Sequence, residues 1–246
     1  MRFPVPLVSG RLVRRYKRFL SDIELASGEI VTAHCPNPGA MLGLDAPGSE
    51  VWLLPAQNPA AKLRWGWELV RVGEHLVGLN TGRPNRLVEE AVGADRIPQL
   101  TGYESCRREV RYGQKSRIDL LLTSPGKPPC WVEIKNVHLK RGAAAEFPDC
   151  VTARGARHLD ELGNRVEAGD RAVMVYVVQR EDCRHFSIAR DLDPAYAAAF
   201  ERALQRGVEA ICWDCRVTTN SIELRAPLPI PGVSHPAALA MATSRP

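Results

Sequence analysis

The chain contains no long uncharged apolar run. No segment approaches the roughly 18 consecutive apolar residues that a transmembrane helix needs. The first residues also lack the apolar central region of a secretory signal peptide. We therefore expect a cytoplasmic protein that has no membrane partner.

Sequence signatures of three other functional classes are missing as well. The pair Cys212-Trp-Asp-Cys215 has zinc-knuckle spacing, but only Cys183 and His185 offer a second pair of ligands, so packing is favoured over structural zinc. A serine hydrolase is disfavoured because no Gly-x-Ser-x-Gly elbow occurs. No helix-turn-helix pattern is present to read bases in the major groove. The seven cysteines are odd in number and scattered, which favours reduced thiols over a disulfide framework.

The charge is modest in total but uneven along the chain. The 246 residues are 45% hydrophobic and 25% charged, with a net charge of +5, as in an ordinary globular protein. Two segments are strongly basic, and the first 21 residues contain no acid. The first cluster comprises Arg2, Arg11, Arg14, Arg15, Lys17 and Arg18, and the second comprises Arg107, Arg108, Arg111, Lys115 and Arg117. Each cluster alone is typical of a solvated face, whereas basic clusters beside a metal site would indicate a polyanionic partner.

Residues 1–82 show the pattern of a small β-barrel. Short apolar alternations are separated by turn residues at intervals of 8–12 residues, without helical periodicity. The predicted strands cover 18–25, 29–35, 50–54, 62–72 and 75–80. An OB-like barrel fits this size, and its aromatic residues would either stack on bases or, for most of them, fill the core. These aromatics are Tyr16, Phe19, Trp52, Trp65 and Trp67.

From residue 83 onward the pattern changes to that of an α/β unit. The predicted order is α-β-β-β-α-β-α-β, with helices over 86–92, 152–167 and 194–207 and strands over 103–112, 117–137 (a hairpin), 171–178 and 208–217. This order predicts a mixed central sheet between flanking helices. Residues 226–246 contain five prolines and no periodicity, which predicts a disordered tail. The predicted units are therefore 1–82, 83–225 and 226–246.

Three charged residues interrupt the apolar hairpin. Asp119 lies in its first strand, and Glu133 and Lys135 share one face of its second strand because side chains alternate along a strand. If the turn is centred on Gly126, the residue numbers of each strand pair add up to 252, so Asp119 would lie opposite Glu133. Two opposed carboxylates repel each other, so the pattern predicts a divalent metal between them. The alternative is a buried ion pair of Lys135 with one carboxylate.

This arrangement of Asp, then Glu-x-Lys on the next strand, resembles the core of the PD-(D/E)xK nucleases. The resemblance implies that Mg²⁺ or Mn²⁺ is held by Asp119, Glu133 and the backbone carbonyl of Ile134. It also implies that Lys135 orients or deprotonates the attacking water. Oxygen ligands of this kind suit both ions. Ile118 stands where the superfamily often has proline.

Seven segments spread over residues 1–225 carry a closer resemblance. They are RYKRFL (15–20), VTAHC (31–35), WELV (67–70), RID (117–119), VEIKNV (132–137), FPD (147–149) and T-x-RG-x-x-HL-x-EL (152–162). In these segments the chain resembles the sugar fermentation stimulation protein A (SfsA) family. The resemblance implies an OB-like N-terminal domain, a restriction-endonuclease-like C-terminal domain, DNA binding and a role in sugar, especially maltose, metabolism. Pro38 and Cys150 depart from the family pattern, both in loops.

Supporting roles follow for several further residues. Arg154 and His158 fall on one helical face and would contact the scissile phosphate, although a packed His158 is an equal alternative. Glu90 or Glu89 would supply a further metal ligand from the first helix, or would be a plain surface residue. The nucleic-acid-binding residues predicted in the barrel are Arg14, Arg15, Lys17 and Arg18.

Together these patterns favour a Mg²⁺- or Mn²⁺-dependent nuclease that hydrolyses phosphodiester bonds in DNA, with RNA left open. The alternative is a DNA-binding regulator of sugar metabolism genes that keeps the nuclease fold without cutting. A homodimer remains open, because many nucleases of this fold cut duplexes as pairs.

Overall fold

The first part of the chain forms a β-barrel of short strands. The computed structural model describes residues 1–58, 60–112 and 116–233. The barrel strands are β1 (Val8–Tyr16), β2 (Leu20–Leu25), β3 (Ile30–His34), β4 (Glu50–Pro55), β5 (Trp65–Val72) and β6 (His75–Gly78). The sequence did not predict β1, whose charged outward side chains and register shift between Leu12 and Arg14 hide its alternation.

Parallel pairing of β3 with β5 closes the barrel. Ala33 pairs with Trp65 and His34 with Gly66, so the strand order around the barrel is β1-β2-β3-β5-β4 and back to β1. The barrel core contains apolar side chains that point inward from alternate positions, among them Leu12, Ile23 and Trp67. The predicted OB-like barrel is therefore confirmed.

The second part of the chain forms an α/β unit around a six-stranded mixed sheet. Its helices are α1 (Arg83–Gly93), α2 (Ala153–Glu167) and α3 (Pro194–Gln205). Its strands are β7 (Ser105–Tyr112), β8 (Ser116–Thr123), β9 (Cys130–Val137), β10 (Leu139–Arg141), β11 (Ala144–Phe147), β12 (Arg171–Val178), β13 (His185–Ile188), β14 (Glu209–Val217) and β15 (Ile222–Pro227).

The main sheet has the order β15-β14-β12-β9-β8-β7. Strands β9, β12 and β14 run parallel, while β7, β8 and β15 pair antiparallel, which confirms the predicted mixed sheet. Helix α1 packs in the apolar cluster on one face, and α2 and α3 pack in the cluster on the other. Strand β12 has buried side chains on both faces, as its continuous apolar run requires.

Two predictions for this unit need correction. Strands β10, β11, β13 and β15 were not predicted, because the first three are only three or four residues long. The disordered tail predicted for 226–246 is wrong where it begins: Pro227 ends β15, and Leu228 and Ile230 are buried in the cluster beside α2. Burial of these apolar side chains offsets the ordering of the segment. Residues 234–246 of that prediction lie outside the described residues.

A partly buried polar contact joins the barrel to the α/β unit. Asp149, which follows β11, accepts a hydrogen bond from the backbone N–H of Met41 (3.0 Å) and lies 3.1 Å from His138 Nε2. A Cβ atom on Gly39 would come within 2.4 Å of the Asp149 carboxylate, so this approach requires glycine. The barrel is thereby fixed against the end of β9, the strand that carries Glu133.

Within the described residues, no helix is long and apolar enough to cross a membrane.

Candidate active site

Strand β9 presents Glu133 and Lys135 on the face that is covered by α2. Trp131 and Val137, whose side chains point to the same face, belong to the apolar cluster on that side. Lys135 Nζ lies 2.7 Å from Glu133 Oε1, as expected for two residues on one face. Glu133 is only 3% exposed, so both charges lie in a largely desolvated environment.

Asp119 lies where β8 and β9 separate. The pairs Leu120–Val132, Leu121–Trp131 and Leu122–Cys130 have the predicted register, but the ladder ends there, and Asp119 and Glu133 do not form a strand pair. Instead, Asp119 Oδ2 accepts a hydrogen bond from the backbone N–H of Ile134 (2.7 Å). Because the N–H and C=O of one strand residue point to the same edge, the Ile134 carbonyl also faces this gap.

Helix α1 contacts Asp119 through an asparagine that was not predicted from the sequence. Asn85 Nδ2 donates to Asp119 Oδ1 over 2.7 Å. The available signal was its place in the first turn of α1, directly after Pro84. The structure does not bring Glu90 to this group, because its carboxylate contacts the N-terminal ammonium of Met1 (3.0 Å) and Arg86 (2.8 Å). Glu89 pairs with Arg108 instead.

Helix α2 supplies His158, which is 2% exposed. Its Nδ1 is hydrogen-bonded to Glu133 Oε1, and its Nε2 accepts from Nε of Arg154 (3.3 Å). This network assigns the proton of a neutral ring to Nδ1. His158 is therefore both packed and part of the charged group. Arg154 itself is exposed, so the rest of its guanidinium faces solvent.

The two carboxylates differ in acidity. Burial, followed by repulsion from Glu133, raises the pKa of Asp119 to about 6. Burial would also raise the pKa of Glu133, but the charge of Lys135 and the hydrogen bond from His158 bring it below its ordinary value. Where one proton is bound, it therefore lies on Asp119.

One oxygen of Glu133 has no protein partner. Oε1 is shared by Lys135 and His158, whereas the buried Oε2 accepts no hydrogen bond within the described residues. Nearby, Tyr112 Oη and Glu161 Oε2 are also buried without partners, and both residues line a cavity of about 170 Å³ together with Asn164 and Arg165. Buried polar atoms of this kind indicate a missing ligand or water.

These donors fit a hard divalent cation. Asp119, Glu133 and the Ile134 carbonyl offer only oxygen, and Mg²⁺ is usually bound by one or two carboxylates while it keeps several waters. The described residues contain no cluster of three or more His, Cys, Asp or Glu side chains placed to hold a metal. A site of two carboxylates and a backbone carbonyl has only two such side chains. Cys212 and Cys215 are buried free thiols.

The basic residues predicted in the barrel have different surroundings. Arg15 donates to the backbone carbonyls of Asn37 (3.0 Å) and Gly39 (2.9 Å) and so stabilises a loop. Arg14 pairs with Asp22 at 2.8 Å. Lys17 and Arg18 are exposed at the β1–β2 turn, and their side chains form no ion pair within the described residues.

Among the predicted aromatic contacts, Phe19 at this turn is 48% exposed, whereas Trp52 and Trp67 are buried. Phe19 is thus the aromatic side chain that the barrel leaves open to a ligand, and most of the others belong to the core.

Comparison with known proteins assigns a family to both parts of the chain. The family model "SfsA N-terminal OB domain" matches residues 13–79, and "Sugar fermentation stimulation protein RE domain" matches residues 82–221. A sugar fermentation stimulation protein homolog from Paramagnetospirillum magneticum is 60% identical over 93% of this chain and 97% of its own length. One from Azorhizobium caulinodans is 56% identical over 94% of this chain and 100% of its own length.

A solved structure agrees with these matches. Pyrococcus furiosus SfsA, in complex with Ca²⁺, has a TM-score of 0.85 and 27% identity over 94% of this chain and 97% of that chain. The barrel, the mixed sheet and these similarities lead to one conclusion: the chain belongs to the sugar fermentation stimulation protein (SfsA) family.

Proposed function

We propose that this protein is a divalent-metal-dependent nuclease that hydrolyses phosphodiester bonds in DNA, with RNA as an open alternative. The observation that carries the proposal is the unpartnered, buried Oε2 of Glu133 beside the Asp119 carboxylate and the Lys135 ammonium. An acid with a free buried oxygen, a second acid and a cation are the groups that metal-assisted phosphodiester hydrolysis needs.

Asp119, Glu133 and the Ile134 carbonyl are the residues that would hold Mg²⁺ or Mn²⁺. When bound, such an ion polarises the phosphate and lowers the pKa of a coordinated water. The Ca²⁺ complex of the Pyrococcus furiosus relative supports binding of a divalent cation in this family. Asn85 and the Ile134 N–H each hold one oxygen of Asp119, and so orient the carboxylate before any ligand arrives.

The remaining polar residues have complementary roles. Lys135 orients the attacking water and offsets negative charge on the phosphate, since its side chain is only 14% exposed and its ammonium is anchored by Glu133. His158 donates to Glu133 and fixes the direction of that carboxylate. Arg154, which is held at Nε by His158, has forked donors left for a phosphate oxygen.

The barrel turn extends this basic surface. Arg15, just before this turn, donates to the backbone carbonyls of Arg18 (3.2 Å) and Gly39 (2.9 Å), and Gly39 packs against Asp149 shortly before α2. The exposed Lys17 and Arg18 therefore lie toward the N-terminal end of α2, which bears Arg154. We assign to this turn the contacts to a nucleic-acid strand whose scissile phosphate lies at Asp119. Arg14 and Arg15 serve mainly to hold the turn in place.

The test is a cleavage assay on single-stranded and duplex DNA and on RNA, with Mg²⁺, Mn²⁺ or EDTA. We expect metal-dependent cutting that falls by at least about 100-fold in Asp119→Asn, Glu133→Gln and Lys135→Ala. Glu90→Gln is the matched control, because it removes a carboxylate that the structure places away from the site. Its activity should equal that of the unmodified protein.

The competing function is a non-cleaving DNA-binding regulator of sugar metabolism genes. A regulator has no need of a buried carboxylate oxygen without a partner, which lowers stability. If the unmodified protein binds DNA but cuts no substrate with either metal, the regulator is the correct function and the nuclease proposal fails.

A further inference from the structure

Strand β7 is the exposed edge of the main sheet, and it is rich in arginine. Among the described strands it pairs with β8 alone, and six of its eight residues are exposed. Arg108 is neutralised by Glu89 at 3.3 Å. Arg107 and Arg111, by contrast, form no hydrogen bond or ion pair with any side chain that the structure describes, and the same is true of Arg117 on β8.

Two of these arginines lie directly opposite each other. The β7–β8 register pairs Arg111 with Arg117, and both are exposed. Like charges in directly opposed positions destabilise a strand pair, because their Cβ atoms are only about 4.5–5.5 Å apart. The part of the chain that the structure describes supplies no acid between them. An external anion would remove this repulsion.

The pair lies on the same face as α1, close to the candidate active site. The flanking pairs Tyr112–Ser116 and Val110–Ile118 have Tyr112 and Ile118 in the cluster beside α2, so alternation sends Arg111 and Arg117 to the opposite face. Asn85, in the first turn of α1, contacts Asp119 from that side. Arg117 is two residues from Asp119 on β8, a separation of about 6.6 Å along the strand.

We propose that Arg111 and Arg117 form a phosphate-binding site for the substrate strand, next to the phosphate that is cut at Asp119. Guanidinium groups bind phosphate oxygens with two parallel hydrogen bonds, and two adjacent guanidinium groups match the charge of a nucleic-acid backbone. This position lies on the opposite side of the site from Arg154. The inference rests on the proposed nuclease function, because it takes a nucleic-acid strand, rather than an acidic protein, as the ligand.

Binding without cleavage tests this site independently of catalysis. Fluorescent single-stranded and duplex DNA oligonucleotides are titrated in EDTA at several salt concentrations with the unmodified protein and with the double variant Arg111→Gln/Arg117→Gln. Each lost phosphate contact should reduce the slope of log K against log salt by about 0.7–0.9. The double variant should therefore lose about 1.4–1.8 from the slope, and its affinity at moderate salt should fall by about tenfold or more.

A matched control has the same change in net charge. Arg184→Gln/Arg216→Gln removes two exposed arginines, of which Arg216 lies on β14, four strands away from β7. This control should keep the slope of the unmodified protein. Arg111→Lys/Arg117→Lys retains both charges and should also keep the slope, and circular dichroism establishes that each variant is folded.

The outcomes separate this inference from the proposed function. A slope in Arg111→Gln/Arg117→Gln that equals the slope of the control overturns the phosphate site, even if the unmodified protein cuts DNA. A reduced slope supports the site even if no cleavage is detected. Selective loss of binding to an acidic peptide, with DNA binding unchanged, would assign the arginines to a protein partner and overturn the proposal.

Discussion

At the scale of single residues, the site separates two carboxylates by their surroundings. Glu133 has Lys135 and His158 at one oxygen, which keep it ionised despite burial. Asp119 has only neutral donors, Asn85 and the Ile134 N–H, so burial and the charge of Glu133 raise its pKa to about 6. A cation bound between them would remove the repulsion that the metal-free protein retains.

The raised pKa of Asp119 makes the stability of the metal-free protein depend on pH. The folded state binds the proton more tightly than the unfolded chain, so this stabilisation is complete below about pH 4 and is lost as pH rises through about 6. Asp119→Asn has no carboxylate here and does not lose this stabilisation. In urea unfolding with EDTA, the free energy of unfolding of the variant relative to the unmodified protein should rise by about 1–2 kcal/mol between about pH 4 and pH 8. A constant difference across that range would contradict the assignment.

At the scale of elements, the first turn of α2 sets the position of His158. Thr152 is the N-cap, and its side chain accepts a hydrogen bond from the Gly155 N–H (3.1 Å). The backbone N–H of Thr152 donates to Asp193, which itself caps α3 through Tyr196 N–H. Two helices therefore begin at one polar junction. His158 lies in α2, six residues after the N-cap Thr152.

Removal of this cap should loosen α2 without touching a charged residue of the site. Thr152→Ala should lower the free energy of unfolding by about 1 kcal/mol, whereas Thr152→Ser keeps the hydroxyl and should retain most of the stability. Urea unfolding measures both variants. Equal stability of the alanine and serine variants would show that the hydroxyl does not cap the helix.

At the scale of the whole molecule, the barrel and the α/β unit share a partly buried polar contact at Asp149. Burial would raise the pKa of this carboxyl, but the hydrogen bond and charge of His138 and the Met41 N–H hold it at about 2. The contact lies between the barrel turn with Lys17 and Arg18 and the start of α2. It thereby fixes the predicted nucleic-acid surface of the barrel relative to Asp119.

Asp149→Ala should weaken this junction. The free energy of unfolding should fall by about 2 kcal/mol at neutral pH, because the Met41 N–H and His138 lose a partly buried charged partner. The loss should shrink as pH falls from about 4 toward 2, where Asp149 becomes protonated in the folded protein. Asp191→Ala, which removes an exposed carboxylate, should leave the free energy of unfolding nearly unchanged. Similar losses in both variants would refute a special role for the junction.

Much of the site was readable from the chain, because strand geometry is local. Alternation alone puts Glu133 and Lys135 on one face, and the turn at Gly126 sets a register that the three pairs of β8 with β9 follow. Apolar periodicity likewise predicts α2, α3 and the buried strand β12. These features depend on neighbours within about ten residues, so no tertiary information is needed.

Other features were decided by contacts between distant parts of the chain. The packing of whole elements separates β8 from β9 at Asp119 and places Asn85, rather than Glu90, next to that carboxylate. It also directs Arg15 to backbone carbonyls of the loop after β3 rather than to solvent. The sequence by itself determined that Glu133 and Lys135 share one face, because the period of a strand is two, but the strand pair of Asp119 with Glu133 that it predicted does not form. Only the tertiary structure decided which oxygen of Glu133 stays free and which arginines stay unpaired, because those depend on partners far away in the chain.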